Sequence, residues 1–153
     1  MNKAFTREDD NGQEVDLPER AIPPHPNLVT AEGLAQIEAA IARLFAEQAR
    51  ARNAGDATAA ANAARDLRYW SARRATAQLT EARPSSKVQF GSRVTIKRPD
   101  GATRIYRIVG TDEGDPVQGT LSYASPLAQA LMGKKIGDTI VIGGHEEEIV
   151  QVA

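Results

Sequence analysis

Few side chains in this sequence could do chemistry. It contains no cysteine, which excludes disulfides, thiol catalysis and thiolate metal sites. Its two histidines, His25 and His145, are too far apart in the sequence to suggest a metal site and lack neighbouring ligand residues. Asp56 follows Gly55 at a helix boundary, where capping of the next helix explains it fully. By themselves, these residues predict neither a catalytic centre nor a bound metal or cofactor.

Asp56 lies between two predicted helices. The first covers residues 30–54, begins with Thr30 as a good N-cap, and has apolar residues at alternating steps of three and four, as in a coiled-coil seam. The second covers residues 57–81 and has mostly small residues near the tip. Because a short connection joins arms of similar length, we expect an antiparallel hairpin. The first seam consists of Leu34, Ile37, Ile41, Leu44 and Gln48. The second consists of Ala60, Ala63, Leu67, Trp70, Arg74 and Ala77.

The segments on either side of the hairpin differ in character. Residues 1–27 are acidic and rich in proline, and such a segment cannot bury enough apolar surface to offset its chain entropy. After Pro84 the pattern changes to β-rich runs and one short helix at residues 125–133, with Ser125 as N-cap and Pro126 at the first position. The predicted strands are residues 94–97, 103–109, 119–123, 139–142 and 148–152.

The sequence therefore predicts an α+β chain in three parts: a disordered tail of residues 1–27, a coiled-coil hairpin of residues 28–83, and a small antiparallel sheet domain of residues 84–153. The net charge of −1 shows no overall bias toward nucleic acid or membrane. No apolar run approaches the ~20 residues that span a bilayer, and the charged first residues are unlike a signal peptide. We expect a cytoplasmic protein without a membrane partner.

Three blocks of the predicted sheet domain occur in order and at compatible spacing. VQFGSRVT (residues 88–95) resembles V-x-F-G-x-x-V-x, and YRIVGTDE (residues 106–113) resembles Y-R-I-V-G-x-D-E. SPLAQALMGK (residues 125–134), followed by Gly137 and Asp138, resembles S-P-L-A-x-A-L-x-G-K-x-x-G-D. These are patterns of the GreA/GreB transcription elongation factors, and together they are a specific signal. The resemblance implies an FKBP-like fold for this domain.

The resemblance also implies a partner, bacterial RNA polymerase. In the family, the loop that holds the S-P-L-A block docks on a coiled-coil rim of the β′ subunit, and the hairpin enters the secondary channel, with indirect contact to RNA and DNA. Carried over to this sequence, the polymerase-binding residues are Tyr123, Ser125, Pro126 and Leu127. The implied function is a regulator of elongation, not an enzyme, and no cofactor is implied.

The hairpin tip departs from the family pattern. Cleavage factors carry G-D-x-x-E-N-A-E-Y there, and its aspartate and first glutamate help to hold a catalytic Mg²⁺, which two anions on one helical face can share. Here Asp56 is retained, but Ala59 stands at the glutamate position. The arms are also shorter by roughly a heptad, or ~10 Å. The resemblance therefore implies weak or no stimulation of transcript cleavage, with Asp56 as a residual tip acid.

Several alternatives stay open at this point. The chain could be a coiled-coil adaptor or a relative of the nucleoside diphosphate kinase regulators, which share the C-terminal domain without the acidic tip. A peptidyl-prolyl isomerase would need an aromatic proline pocket, for which the domain has only Phe90, Tyr106 and Tyr123. Arginines of the hairpin could line a stripe that faces RNA or the channel wall, although their interleaving with acidic residues favours ordinary surface. They are Arg43, Arg50, Arg52, Arg65, Arg68, Arg73 and Arg74.

Overall fold

The computed structural model describes residues 17–153, and the chain forms two compact units. One unit contains Glu38–Arg73 together with the described residues up to Ile22, and the other contains Pro23–Ile37 and Arg74–Ala153. The α+β class predicted from the sequence is confirmed, with two long helices followed by a curled sheet. Among the described residues, no helix is both long enough and apolar enough to cross a membrane.

Helix α1 (Ala31–Asn53) begins and packs as its sequence predicts. The Thr30 Oγ1 accepts a hydrogen bond from the Gly33 N–H at 3.0 Å, which confirms the predicted N-cap. Three residues at steps of seven are buried, namely Ile37, Leu44 and Ala51. This heptad spacing keeps one face of the helix turned inward over its whole length.

Helix α2 (Ala57–Thr76) differs from its prediction in its buried face and in its end. The buried residues are Ala63, Tyr69 and Arg73, whereas the sequence had suggested Trp70 and Arg74 for the same two turns. The predicted stripe was therefore displaced by one residue in this part of the helix. Tyr69, the aromatic residue that precedes Trp70, is the one turned inward.

Helix α2 ends at Thr76, five residues before the predicted end at residue 81, because the chain enters a strand. The Gln78 N–H donates to the Asn27 carbonyl (2.8 Å), and the Thr80 N–H donates to the Val29 carbonyl (2.9 Å). Strand β2 (Gln78–Leu79) thus pairs in parallel with strand β1 (Leu28–Val29). Tertiary pairing of this kind overrides the helix propensity of the local sequence.

Part of the predicted tail makes defined contacts. Residues 1–16 lie outside the described residues, so the expectation for them stays a prediction. In the first unit, the Arg68 Nε donates to the Glu19 carboxylate at 2.9 Å, and the Arg20 guanidinium lies 3.8 Å from the centre of the Tyr69 ring. The Arg68 guanidinium also holds the pKa of the Glu19 carboxyl below its usual value, chiefly through this hydrogen bond. Residues 19 and 20 therefore pack along helix α2.

The second unit contains a five-stranded sheet in the order β5-β4-β3-β7-β6. Its strands are β3 (Arg93–Lys97), β4 (Thr103–Val109), β5 (Thr120–Ser122), β6 (Thr139–Ile142) and β7 (His145–Val152), and helix α3 is Pro126–Leu131. Alternating side chains of the strands and the inner face of α3 make the core. Its fully buried members include Val94, Ile96, Ile108, Ala128, Leu131 and Ile149.

The sheet is mixed, so the prediction of an antiparallel sheet was wrong at one edge. Strands β4 and β5 run in parallel, while the other three pairs are antiparallel. A parallel pair needs a crossover instead of a tight hairpin turn. Two short 3-10 helices, Thr111–Glu113 and Pro116–Gln118, supply it between β4 and β5.

Candidate functional site

The loop between β5 and α3 is the part of the second unit that the sequence singled out. The Ser125 N–H donates to the Ser122 carbonyl (2.9 Å), and the Ser125 Oγ accepts from the Ala128 N–H (3.3 Å). Pro126 occupies the first helical position, where its fixed φ suits a helix and its missing N–H costs no hydrogen bond. The predicted capping of this helix is confirmed.

The core of the unit holds this loop in place. Ala128 and Leu131 on the inner face of α3 are fully buried, and Leu127 is half-buried against the same core. Pro126 is exposed and Ser125 is half-buried. A proline at the start of a packed helix is a rigid surface group, so that little conformational entropy remains to be lost on contact with a partner.

Tyr123 has a supporting position, since only 9% of it is exposed. Its hydroxyl donates to the Pro26 carbonyl, and its ring makes an edge contact with Phe90 at 5.7 Å between centroids. Its backbone carbonyl accepts from the Gln129 Nε2 at 2.6 Å. These contacts fix the loop from beneath. Of the four predicted docking residues, the structure brings Ser125, Pro126 and Leu127 to or near the surface and places Tyr123 below them.

The isomerase alternative would need an aromatic pocket, and the three aromatic residues that the domain offers for one, Phe90, Tyr106 and Tyr123, are all buried in the core cluster. An aromatic-lined pocket for a proline substrate requires ring faces that are open to solvent. Packing of these three rings therefore gives no support to the isomerase alternative.

At the hairpin tip, Asp56 acts as a helix cap. Its Oδ1 accepts from the Ala59 N–H at 3.0 Å, and Gly55, at φ +70°, makes the preceding turn in a left-handed conformation that favours glycine. Ala59 brings no oxygen atom to this turn. Within residues 17–153, no group of three or more His, Asp or Glu side chains could hold a metal ion.

The nearest acidic residues along the two arms are already engaged with arginine. The Arg43 guanidinium donates to Glu47 at 3.1 Å, and Asp66 accepts from Arg65 at 3.3 Å and from Arg20 at 3.5 Å. Neither carboxylate lies in the turn that contains Asp56. The tip therefore presents a single carboxylate, and that group already satisfies a backbone N–H.

The arginines predicted as a possible stripe have different surroundings from one another. Arg43, Arg65 and Arg68 form ion pairs with carboxylates of the same unit. Arg73, by contrast, is buried with only 1% exposed. Because several of these arginines are paired with acids or buried, the seven residues do not make one continuous basic surface. Most of them are ordinary surface residues.

The histidines are likewise separate from each other. His25 is exposed, and its ring makes an edge contact with Tyr123 at 6.4 Å between centroids. His145 begins strand β7 and lines an open cavity beside Arg98 and Glu147, whose side chains form an ion pair at 3.1 Å. Neither position gathers a ligand set for a metal.

Glu113 is a structural residue that the sequence analysis did not single out, although the YRIVGTDE block contains it. Its Oε2 accepts from the Gly110 N–H (2.9 Å) and the Thr30 N–H (3.1 Å), and its Oε1 accepts from the Thr30 hydroxyl. The carboxylate also lies against Gly33, where an added Cβ would overlap it. We call this group of Glu113, Thr30, Gly110 and Gly33 the helix clamp. A carboxylate at a helix N-terminus is stabilised by the orphan N–H groups and the helix dipole.

A second contact also joins the first turn of α1 to the β4 region. The Arg107 guanidinium donates to the Glu32 Oε2 at 3.2 Å. The pKa of the Glu32 carboxyl is lowered, first by a hydrogen bond from its own backbone N–H and then by Arg107. Both the helix clamp and this pair attach the first turn of α1 to the β4 region, so the sheet domain includes residues before the hairpin.

Comparison with known proteins bears on the second unit. Residues 83–152 match the sequence model of the family described as "Transcription elongation factor, GreA/GreB, C-term". The transcription elongation factor GreA of Bacillus cytotoxicus is 44% identical over 73 residues, which cover 44% of this chain and 46% of the relative. GreA of Nitratidesulfovibrio vulgaris is 46% identical over 72 residues, which cover 44% of this chain and 45% of the relative. The matched region thus spans about half the length of these curated relatives.

Among solved structures, the GreA factor homolog 1 (Gfh1) protein of Thermus thermophilus is 16% identical to this chain, with a TM-score of 0.42. The alignment covers 84% of this chain and 99% of the Gfh1 chain. The elongation factor GreA/GreB of Nitrosomonas europaea is 19% identical, with a TM-score of 0.40. That alignment covers 82% of this chain and 98% of the other. The sequence match over the sheet domain carries the assignment: residues 83–152 form a C-terminal domain of the GreA/GreB transcription elongation factor family.

Proposed function

We propose that this chain binds bacterial RNA polymerase and regulates elongation without strong stimulation of transcript cleavage. The observation that carries the proposal is the loop at Ser125 and Pro126, which a capped and core-packed helix presents from the domain that matches the GreA/GreB family. The proposed contact is with the coiled-coil rim of the β′ subunit. The hairpin would then occupy the secondary channel, where RNA and DNA are reached only indirectly.

The hairpin supports the second half of the proposal. A transcript-cleavage stimulator must help to hold a divalent cation, and hard cations such as Mg²⁺ take several oxygen ligands. The tip of this chain has Asp56 alone, and its carboxylate accepts the Ala59 N–H. The arms contain 23 and 20 residues, or about 34 and 30 Å of helix. These features support a regulator that occupies the channel without stimulating transcript cleavage.

A double variant tests the proposed contact. Ser125→Ala combined with Pro126→Gly should weaken binding to core RNA polymerase by about tenfold, because a rigid contact at the centre of an interface is worth more than 1 kcal/mol. The affinity would be measured by biolayer interferometry with immobilised polymerase. A matched control is Pro84→Gly combined with Ser85→Ala, which changes the same residue types at exposed positions, where Ser85 also accepts a backbone N–H.

Circular dichroism separates docking from capping. Where the double variant loses helix content, Pro126→Ala serves in its place, since it leaves the Ser125 cap intact. Wild-type affinity in a folded loop variant would remove this loop from the interface. Equal weakening by the control pair would show that the effect is not local.

A further inference from the structure

An open cavity lies at the end of the sheet where two β-turns are side by side. One turn joins β3 to β4, and the other joins β6 to β7. The cavity has a volume of about 440 Å³, which is within the range of pockets that bind small molecules. We call this space the turn cavity. Residues of both turns line it, among them Arg98, Pro99, Asp100, Ile142, His145 and Glu147.

Both turns have fixed backbones. In the first turn, the Asp100 Oδ1 accepts from the Ala102 N–H at 2.9 Å, and the Arg98 N–H donates to the Ala102 carbonyl at 2.8 Å. In the second turn, Gly143 (φ +58°) and Gly144 (φ +82°) take the left-handed conformation that a tight two-residue hairpin turn requires. Because both turns are held in this way, the walls of the cavity exist without a ligand.

A buried ion pair forms one wall of the turn cavity. Glu147 is only 4% exposed, and its Oε1 accepts from the Arg98 Nε at 3.1 Å. Within residues 17–153, the Glu147 Oε2 and the two Nη groups of Arg98 make no hydrogen bond. Every fully buried polar side-chain atom of the described residues has a partner, so the unpaired Oε2 is open to the cavity. This wall therefore offers a hydrogen-bond acceptor directly beside a pair of donors.

The charges around the turn cavity do not suit a simple ion. Arg98 brings a positive charge, whereas Asp100 and Glu147 bring negative charges. An anion would be repelled by the two carboxylates, and a cation would be repelled by the guanidinium. A ligand with both charges close together avoids these conflicts, because each of its charges can face the opposite member of the ion pair.

We propose that the turn cavity binds a free α-amino acid with an aliphatic side chain. The Arg98 Nη groups donate to the carboxylate of the amino acid, since a guanidinium matches a carboxylate with two parallel hydrogen bonds. The Glu147 Oε2 accepts from its ammonium group. One carbon atom separates the two charged groups of the ligand, and the 3.1 Å contact between Arg98 and Glu147 brings their partners equally close. Pro99 and Ile142 supply apolar surface for the aliphatic side chain.

The turn cavity and the loop at Ser125 and Pro126 lie at opposite ends of the sheet. Strand β4 begins beside the first turn and ends at Val109, which pairs with Ser122 just before the loop. The six residue steps along this strand span about 20 Å. The proposal therefore goes beyond polymerase docking and does not depend on it.

A titration of the full chain followed by two-dimensional nitrogen–proton NMR tests the proposal. L-Leucine should shift the amide signals of Asp100, Gly143 and Gly144 in a saturable way, with a midpoint of about 1 mM. Two analogues each lack one charge: 4-methylpentanoate has no ammonium group, and 3-methylbutylamine has no carboxylate. N-Acetyl-leucine imitates the last residue of a peptide. All three should bind at least tenfold more weakly than leucine, because one half of the ion pair then has no partner.

Variants locate the site within the chain. Arg98→Gln and Glu147→Gln should each weaken the binding of leucine at least tenfold, since each removes one charge of the pair. Matched controls are Arg93→Gln, at the other end of β3, and Glu148→Gln, which follows Glu147 in β7. Both control positions are exposed and outside the lining of the cavity, so the midpoint should not change. The analogue series uses the wild-type chain, so it remains decisive where a cavity variant fails to fold.

Several results would overturn the proposal. The first is the absence of a saturable shift even at about 20 mM leucine. Equal binding of 4-methylpentanoate or of 3-methylbutylamine would reduce the cavity to a site for a simple ion, and equal binding of N-acetyl-leucine would make it a site for a peptide C-terminus. Equal weakening by the control variants would place the effect outside the cavity. Polymerase is absent from the titration, so failure of the docking proposal would leave its outcome unaffected.

Discussion

Gly33→Ala should lower the free energy of unfolding by about 2–3 kcal/mol, although alanine is the better helix former by about 1 kcal/mol. The reason is the helix clamp, in which a Cβ at residue 33 overlaps the Glu113 carboxylate. To make room, Glu113 must leave the N–H groups of Thr30 and Gly110. Chemical denaturation followed by far-ultraviolet circular dichroism measures the change.

A double-mutant cycle distinguishes this cause from a general intolerance of substitution. Glu113→Ala alone should also destabilise the chain, since it leaves buried Thr30 without its partner. In the Glu113→Ala background, however, Gly33→Ala should be close to neutral or slightly stabilising, because the clash is gone and helix propensity dominates. If the two losses simply add, then the clamp does not limit residue 33.

The second large effect concerns transcript cleavage. In a stalled, backtracked elongation complex, polymerase should cleave its transcript no faster with this chain present than alone, since the tip offers one carboxylate that is already used as a cap. Asp56→Asn should leave that rate unchanged. The measurement is the appearance of shortened RNA on a denaturing gel, with a GreA cleavage factor as the positive reference.

Restoring the missing acid at the tip tests whether the length of the hairpin arms also limits cleavage. In the proposed binding mode, Ala59→Glu should not by itself stimulate cleavage, because arms of 23 and 20 residues would keep both carboxylates away from the catalytic metal of the polymerase. Fast cleavage by the wild-type chain that Asp56→Asn abolishes would show instead that one acid at this distance is sufficient.

The sequence predicted the elements whose signals are local. Thr30 and Ser125 were recognised as caps because a hydroxyl before a helix satisfies N–H groups only a few residues away. The seam of α1 was recognised because apolar residues repeat at the spacing of a helix. The proposed docking loop was predicted from the resemblance of the SPLAQALMGK block, and its composition alone would not have identified it.

The features that were missed depend on contacts between distant parts of the chain. The Glu113 carboxylate accepts the N–H of Thr30, the N-cap residue of α1, which lies 83 positions earlier, and the residues around Glu113 give no local signal of that contact. The parallel pairing of β1 with β2, which ends α2 at Thr76, likewise joins residues about 50 positions apart. The buried face of α2 was shifted because a half-buried Trp70 and a buried Tyr69 are adjacent, and residue type alone does not say which one turns inward.

The proposed function requires this chain to occupy the GreA site of RNA polymerase. The measurement is displacement of a fluorescently labelled GreA from core polymerase as the concentration of this chain is raised. We expect complete displacement by the wild-type chain, and a midpoint about tenfold higher for the Ser125→Ala and Pro126→Gly double variant. Polymerase that keeps its labelled GreA at every concentration, or loses it equally well to the loop variant, would contradict the proposed function.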